Sequence, residues 1–260
     1  MNYFPMNTKY NTSRSLHRVV VRLVLVLSAL STANSQMVVF SDGDFNPSNW
    51  TFGTSLTTGS GGSVNRATSG GNPGSYLRLT LSMSAGEGQA GVWGLNSAAV
   101  YNPATQGAIE SVALSEDILE IGAAQAAGAV LSQNGLLYYR FTYIASGTSW
   151  TSLNAGPGTA TDYMLYPSPD NGITSPHPDF SILGAPITFG FYRNIGGTAL
   201  SDFSTTSGLD NWQTTVNVVP EASVVHLVAA TVIALVASRF LKKLVPRRRR
   251  VAVHRGRRLP

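Results

Sequence analysis

The densest acidic run in the chain is Ser115-Glu116-Asp117-Ile118-Leu119-Glu120. Paired carboxyl groups are the equipment of glycoside hydrolysis, about 5–5.5 Å apart for retention and about 6.5–9.5 Å for inversion. On a strand, Glu116 and Glu120 share one face and Asp117 points the other way. Four residues at about 3.3 Å each set the two glutamate backbones about 13 Å apart. This strand alone does not make the pair, although an acid from another strand could complete one. The expectation is a solvent-facing acidic stretch beside a turn.

Other catalytic chemistries fare worse. The chain has no cysteine, which removes disulfides, thiol nucleophiles and cysteine-based zinc sites. Between residues 36 and 218 the one histidine is His177, held between Pro176 and Pro178, with no Gly-x-Ser-x-Gly elbow to complete a Ser-His-Asp set. Gly86-Glu87-Gly88-Gln89-Ala90-Gly91 matches Gly-x-Gly-x-x-Gly in letters but opens onto Val92-Trp93 and not onto a helix. It reads as a flexible loop, because a pyrophosphate site needs the strand–turn–helix around it. No catalytic residue is assigned and no cofactor is expected, with one exception. Asp42, Asp44 and Asp210 offer hard oxygen ligands for a structural Ca²⁺, or equally turn residues that bond their own backbone.

Binding chemistry is better supplied. Trp50, Trp93, Trp150 and Trp212, with Tyr138, Tyr139, Tyr143, Tyr163 and Tyr166, provide rings on which sugars could stack. Trp50 and Trp212 lie in strand-like runs where burial is expected. Trp150, and Tyr163 and Tyr166 in the long stretch from Gly156 to Asp179, are the candidate ligand-binding residues.

The elements that must position these residues are strands. From 36 to 218 short apolar alternations (Tyr76–Met83, Leu136–Ile144, Ile187–Tyr192, Asp210–Val218) are separated by turn clusters such as Gly59–Ser63 and Ser69–Ser75. That pattern predicts an all-β antiparallel sandwich. Gly122–Val130 is the exception, open to a helix or a buried strand pair.

Charge divides the chain further. Residues 36–221 hold four arginines and all thirteen Asp/Glu, a net charge of −9, whereas the whole chain carries +5. The positive charge lies in two tails, which argues against a nucleic-acid partner. Residues 1–35 have a basic lead, the apolar run Leu23–Leu30 and small residues Ala33 and Ser35 before Gln36. That order predicts a signal peptide cleaved after Ser35. Ala222–Leu241 is an apolar run of membrane-spanning length, about 30 Å as a helix. The basic tail 242–260, with Arg247, Arg248, Arg249 and Arg250, fixes its inner side.

Val219-Pro220-Glu221-Ala222, the apolar helix and the arginine cluster together resemble the PEP-CTERM sorting signal. The usual Val-Pro-Glu-Pro has Ala222 in place of its second proline here. The resemblance implies an exported protein of a Gram-negative bacterium, inner-membrane-anchored as a precursor. An exosortase and the secretion machinery would be its partners, and the cell surface or extracellular matrix its destination. A motif of residues 219–241 would then follow the ectodomain of residues 36–218.

The ectodomain resembles concanavalin-like jelly rolls. The resemblance rests on Asp42-Gly43-Asp44-Phe45-Asn46-Pro47 with Trp50-Thr51, Gly70–Leu77, Tyr101-Asn102-Pro103, Ile187–Phe191 and Gly208–Trp212. It implies an antiparallel jelly-roll sandwich. The implied role is a non-enzymatic surface or matrix protein, with a glycan-binding lectin or glycoside hydrolase as the alternative and extracellular polysaccharide as a partner. Mass spectrometry of the native exported protein should find a chain that begins near Gln36 and lacks the basic tail. A chain intact through Pro260 overturns the sorting expectation.

Overall fold

Strand formation is plain in β4 (Gly74–Met83), where Leu77, Leu79, Leu81 and Met83 are buried and the residues between them face outward. A period of two allows one face to enter a core while the other meets solvent. The computed structural model describes residues 36–143, 147–166 and 176–220. Within them the chain is all-β, with two antiparallel six-stranded sheets packed face to face.

Sheet I runs β3 (Ser60–Gly71), β4, β12 (Phe203–Val218), β6 (Ile109–Ile121), β9 (Gly147–Gly158), and β1 (Met37–Asp42) also pairs with β12. Sheet II runs β10 (Met164–Tyr166), β8 (Leu136–Tyr143), β7 (Ala126–Gln133), β11 (Ile187–Ala199), β5 (Gly86–Tyr101), β2 (Trp50–Leu56). The chain passes back and forth between the sheets, so sequential strands are often not neighbours. The exceptions are β3–β4 and β7–β8, the latter joined by Asn134-Gly135 with φ of 53° and 75°. Positive φ at both positions matches the right-handed twist of a hairpin, and Asn-Gly adopts it at little cost. Near the start of β11 the β5–β11 register breaks, with Thr188 opposite Val100 and Gly190 opposite Leu95.

The core lies between the sheets. Sheet I contributes Leu77, Leu79, Leu81, Val112, Leu114, Leu209, Trp212 and Val216. Sheet II contributes Val92, Tyr101, Leu131, Phe189 and Phe191. Trp50 meets Trp212 edge-on at 5.2 Å, and both indoles are buried as their strand positions suggest. One sequence reading is settled and one changes. Gly122–Val130 contains no helix and its strand alternative holds from Ala126 on in β7, whereas the Gly86–Gly91 string is the opening of β5 rather than a loop. Among the described residues no helix is long and apolar enough to cross a membrane. Residues 1–35 and the 222–241 span lie outside the described residues.

Leu79 is fully buried, whereas Leu183 is almost fully exposed. Leu79→Ala should lower the unfolding free energy by about 2–5 kcal/mol in urea titration. Leu183→Ala should change it by less than about 0.5 kcal/mol.

Candidate functional site

The face of sheet II turned away from the core is built by the same alternation that builds the core. Along β11, Phe189, Phe191, Arg193 and Ile195 point inward, so Gly190, Tyr192 and Asn194 point outward. Register brings Trp93 of β5 beside Tyr192, and Gly128 of β7 on its other side. On β8, Leu137, Tyr139 and Phe141 share the outward face with Val130 of β7. Tyr166 of β10 joins them.

This face is floored by glycine and covered by rings. A Cβ on Gly53 would lie 2.0 Å from the Trp93 indole, so the bare backbone of β2 is the seat of that ring. A Cβ on Gly91 would come within 2.7 Å of the Tyr166 hydroxyl and 3.4 Å of Asn194 Oδ1. Tyr166 belongs to the edge strand β10, four strand positions from β5, or about 19 Å across a flat sheet. Its reach to Gly91 therefore requires sheet II to curl, and the aromatic face is its concave side.

Tyr139, Tyr166 and Tyr192 form a triangle with ring centroids 5.2–5.5 Å apart. Tyr139 and Phe141, two residues apart on one strand, lie nearly parallel at 6.0 Å and 18°. They form a platform whose outer ring, Phe141, is 41% exposed. Beside it runs a groove of about 450 Å³, with Tyr139, Phe141, Tyr192, Asn194, Gln89 and Gly196 in its walls. That volume is within the range of small-molecule and cofactor sites.

Among the described residues no Asp, Glu, Lys, Arg or His lines this groove. Glu87 lies in the shallower depression that adjoins it, with Thr57 and Thr198. Burial pushes the hydroxyls of Tyr139, Tyr166 and Tyr192 above the ordinary tyrosine value, so they remain neutral donors at physiological pH. The Tyr166 hydroxyl sits beside those of Ser55 and Tyr192, yet it makes no hydrogen bond of normal geometry, and neither does buried Asn194 Oδ1.

Directly beneath the groove is an ionic cluster that departs from the sequence expectation. Glu116 and Glu120 do share a face of β6, but that face is the interior: both are 2% exposed. Arg193 descends from β11 of the opposite sheet, fully buried, and its Nη2 lies 2.8 Å from Glu116 Oε1. The approach is a charge contact rather than a well-aligned hydrogen bond. A reading of β6 alone placed these acids in solvent because the cation that accompanies them inside comes from a strand about 75 residues away. Asp117 does face outward, accepting from Ser152 Oγ at 2.5 Å and Asn211 Nδ2 at 2.7 Å.

The sequence candidates for binding fall in three separate places. Trp150 lies on the outer face of sheet I, packed over Gly208 and edge-on to Tyr76 at 5.4 Å, its indole N–H donating to Gly70 O. Tyr163 is 1% exposed and packs against Phe180, so it is a core residue and not a ligand platform. Tyr166 alone joins the groove's aromatic triangle. His177 Nδ1 lies 2.7 Å from Tyr163 O, a structural contact.

Of the three aspartates offered to Ca²⁺, Asp42 and Asp210 have their carboxylates hydrogen-bonded within the fold. Asp42 Oδ1 accepts from Asp44 N at 3.0 Å and Phe45 N at 2.7 Å, and its Oδ2 accepts from Trp50 Nε1 at 2.8 Å. Asp210 accepts from the backbone N–H groups of Asn72 and Asn211. No three His, Cys, Asp or Glu side chains converge among the described residues. Val219 and Pro220 end the described chain, and Glu221, Ala222 and Arg247–Arg250 lie outside it. The sequence does not single out Tyr192, Phe141, Gln89 or Asn194. The available signal was the outward half of each strand alternation, Tyr139/Phe141 and Tyr192/Asn194.

No family model and no curated relative matches the chain. Among solved structures it is similar to a family 11 carbohydrate-binding module from Clostridium thermocellum in complex with a β-1,3-1,4-mixed-linked tetrasaccharide. That match has 14% identity and a TM-score of 0.41, covering 69% of this chain and 94% of the other. A C-terminal family 22 carbohydrate-binding module from the same organism has 12% identity and a TM-score of 0.35, covering 71% of this chain and 96% of the other. An exo-β-agarase has 17% identity and a TM-score of 0.36, covering 69% of this chain and 25% of the other. These likenesses are distant, and the functional reading stands on the groove itself.

Because Trp93 rests on bare backbone, Gly53→Ala should unseat its indole. Expected are an altered near-ultraviolet circular dichroism spectrum and a stability loss of about 1–3 kcal/mol. Gly147→Ala, where a Cβ meets open space, should leave the spectrum unchanged.

Proposed function

We propose that this is a non-catalytic glycan-binding sandwich of the concanavalin-like jelly-roll kind, with the concave face of sheet II as its binding surface. The observation that carries the reading is the Tyr139–Phe141 platform beside Tyr192, Gln89 and Asn194 in a groove of about 450 Å³. A sugar ring presents axial C–H bonds on its faces and hydroxyls around its edge. Aromatic faces take the former, and neutral amides and phenols take the latter without the cost of desolvating a charge. Hydrolysis requires two carboxyl groups facing the scissile bond. The acids of the Glu116–Glu120 run point into the core or onto the other sheet, which supports a binding role over a catalytic one.

The two tails support export as the setting of this activity. A signal-peptide-like lead and a PEP-CTERM-like terminus with an exosortase as processing partner would deliver the sandwich to the cell surface or matrix, where polysaccharide is encountered.

Affinity electrophoresis in gels containing mixed-linkage β-glucan, xylan or agarose tests the reading. At least one polysaccharide should retard the protein, and Tyr139→Ala with Phe141→Ala should weaken that retardation about tenfold or more. Trp150→Ala should leave it unchanged. Retardation that survives the double substitution and vanishes with Trp150→Ala would move the site to sheet I.

A further inference from the structure

The groove and the buried ionic cluster share one strand. Tyr192 and Asn194 of β11 face the groove, and Arg193 between them reaches down to Glu116 on β6. Its Nη1 also donates to its own neighbour's carbonyl, Tyr192 O, at 3.0 Å. The guanidinium thus holds the backbone that carries the groove's wall and ties it to the opposite sheet. We propose that Glu116, Arg193 and Glu120 form a proton-gated brace, with Arg193 as the positioning residue that holds Tyr192 and Asn194 for ligand. Loss of the Glu120 proton loosens the brace and weakens binding.

The charge balance inside the sandwich gives the gate its direction. Glu116 takes the 2.8 Å contact with Arg193, whereas both carboxyl oxygens of Glu120 are buried without a side-chain partner of normal geometry. Around them the inward groups are few. The segment before β7 supplies Gln125, whose backbone N–H lies toward Glu120, and whose side chain bonds Ser207 Oγ and Thr205 Oγ1 of β12. Beside Glu116 and Glu120, β6 adds Ile118, packed with Ala127 of β7 and Leu153 of β9, and Asp117 on its other face adds negative charge near Glu116. Arg140, which also points inward, is engaged with Gly156 O at 2.6 Å. One buried guanidinium, in contact with Glu116, therefore stands against two buried carboxyl groups on one face of β6.

Arg193 can compensate one of the two carboxylates. With Glu120 ionised beside an ionised Glu116, the interior carries an uncompensated negative charge that weakens the Glu116–Arg193 contact. Burial pushes the Glu120 carboxyl up from the ordinary 4.5 to about 7, against the pull of Arg193, and burial also raises Glu116. A carboxyl raised on folding holds its proton in the native state where the unfolded chain has lost it. The contribution of Glu120 to stability then falls as pH rises from about 4.5 through about 7, and levels above that. The gate thus favours binding on the acid side of neutrality.

This inference rests on the groove being the glycan site, so the experiment reads the two separately. On the full-length chain without ligand, urea midpoints are measured from pH 5 to 8.5, with the ¹⁵N side-chain amide signal of Asn194 followed in asparagine-labelled protein. Retardation by mixed-linkage β-glucan is measured over the same range. Expected are a midpoint that falls with pH, an Asn194 signal that titrates with it, and binding about fivefold weaker at pH 8.5 than at pH 5.5. Glu120→Gln, a neutral amide at every pH, should flatten all three. If the Asn194 signal and the binding stay constant while stability titrates, the brace does not reach the groove and the proposal is overturned. An Asn194 signal that titrates in a chain that no polysaccharide retards would uphold the brace and reject the glycan reading.

Discussion

The structure depends on the alternation of side chains along β11. That strand lies in the interior of sheet II, hydrogen-bonded to β5 on one side and β7 on the other, so neither face can be left to chance. Phe189, Phe191 and Ile195 fill the inter-sheet core, and Tyr192 and Asn194 are thereby committed to the concave face. A shift by one residue would bury Asn194 and put Phe191 into the groove. The core consequently fixes the register of the site, and the site needs no loop to hold its principal side chains.

Arg193 complicates that division. An inward guanidinium among Phe191 and Ile195 costs desolvation, which a nearby carboxylate offsets only in part. The second glutamate makes the balance depend on a proton. The interior is therefore apolar near Trp212 and Leu79 and ionic beneath the groove, so the two regions respond differently to solution conditions. Polar contacts there extend through Gln125 to Ser207 and Thr205, which ties sheet I into the same network.

Much of the fold was legible in the sequence. The alternations at Tyr76–Met83 and Ile187–Tyr192 are strands, and Trp50 and Trp212 are buried where strand position placed them. Asn134-Gly135, which turns β7 into β8, is a hairpin signal that the alternations alone did not bring out. The site was less legible because it is assembled across strands distant in sequence. Gly53 shows itself as the seat of Trp93 only when β2 pairs with β5, and Glu116 looks solvent-facing until Arg193 arrives from the other sheet. Aromatic content pointed to sugars, but not to which face. Tyr163 and Tyr166 lie three residues apart, yet one enters the core and the other the concave surface.

The pairing of β1 with β12 has a mechanical consequence. Met37 lies opposite Asn217 and Asp42 opposite Trp212, and Val218 N–H donates to Gln36 O at 2.9 Å, so the sandwich's first and last residues leave it side by side. Tension between those two ends would not shear the six paired positions together. It would peel β1 from β12 one rung at a time, starting at Gln36, and the strand nearest the pull would yield long before the core. A sandwich loaded in this way is a soft fuse along one seam and a rigid body elsewhere.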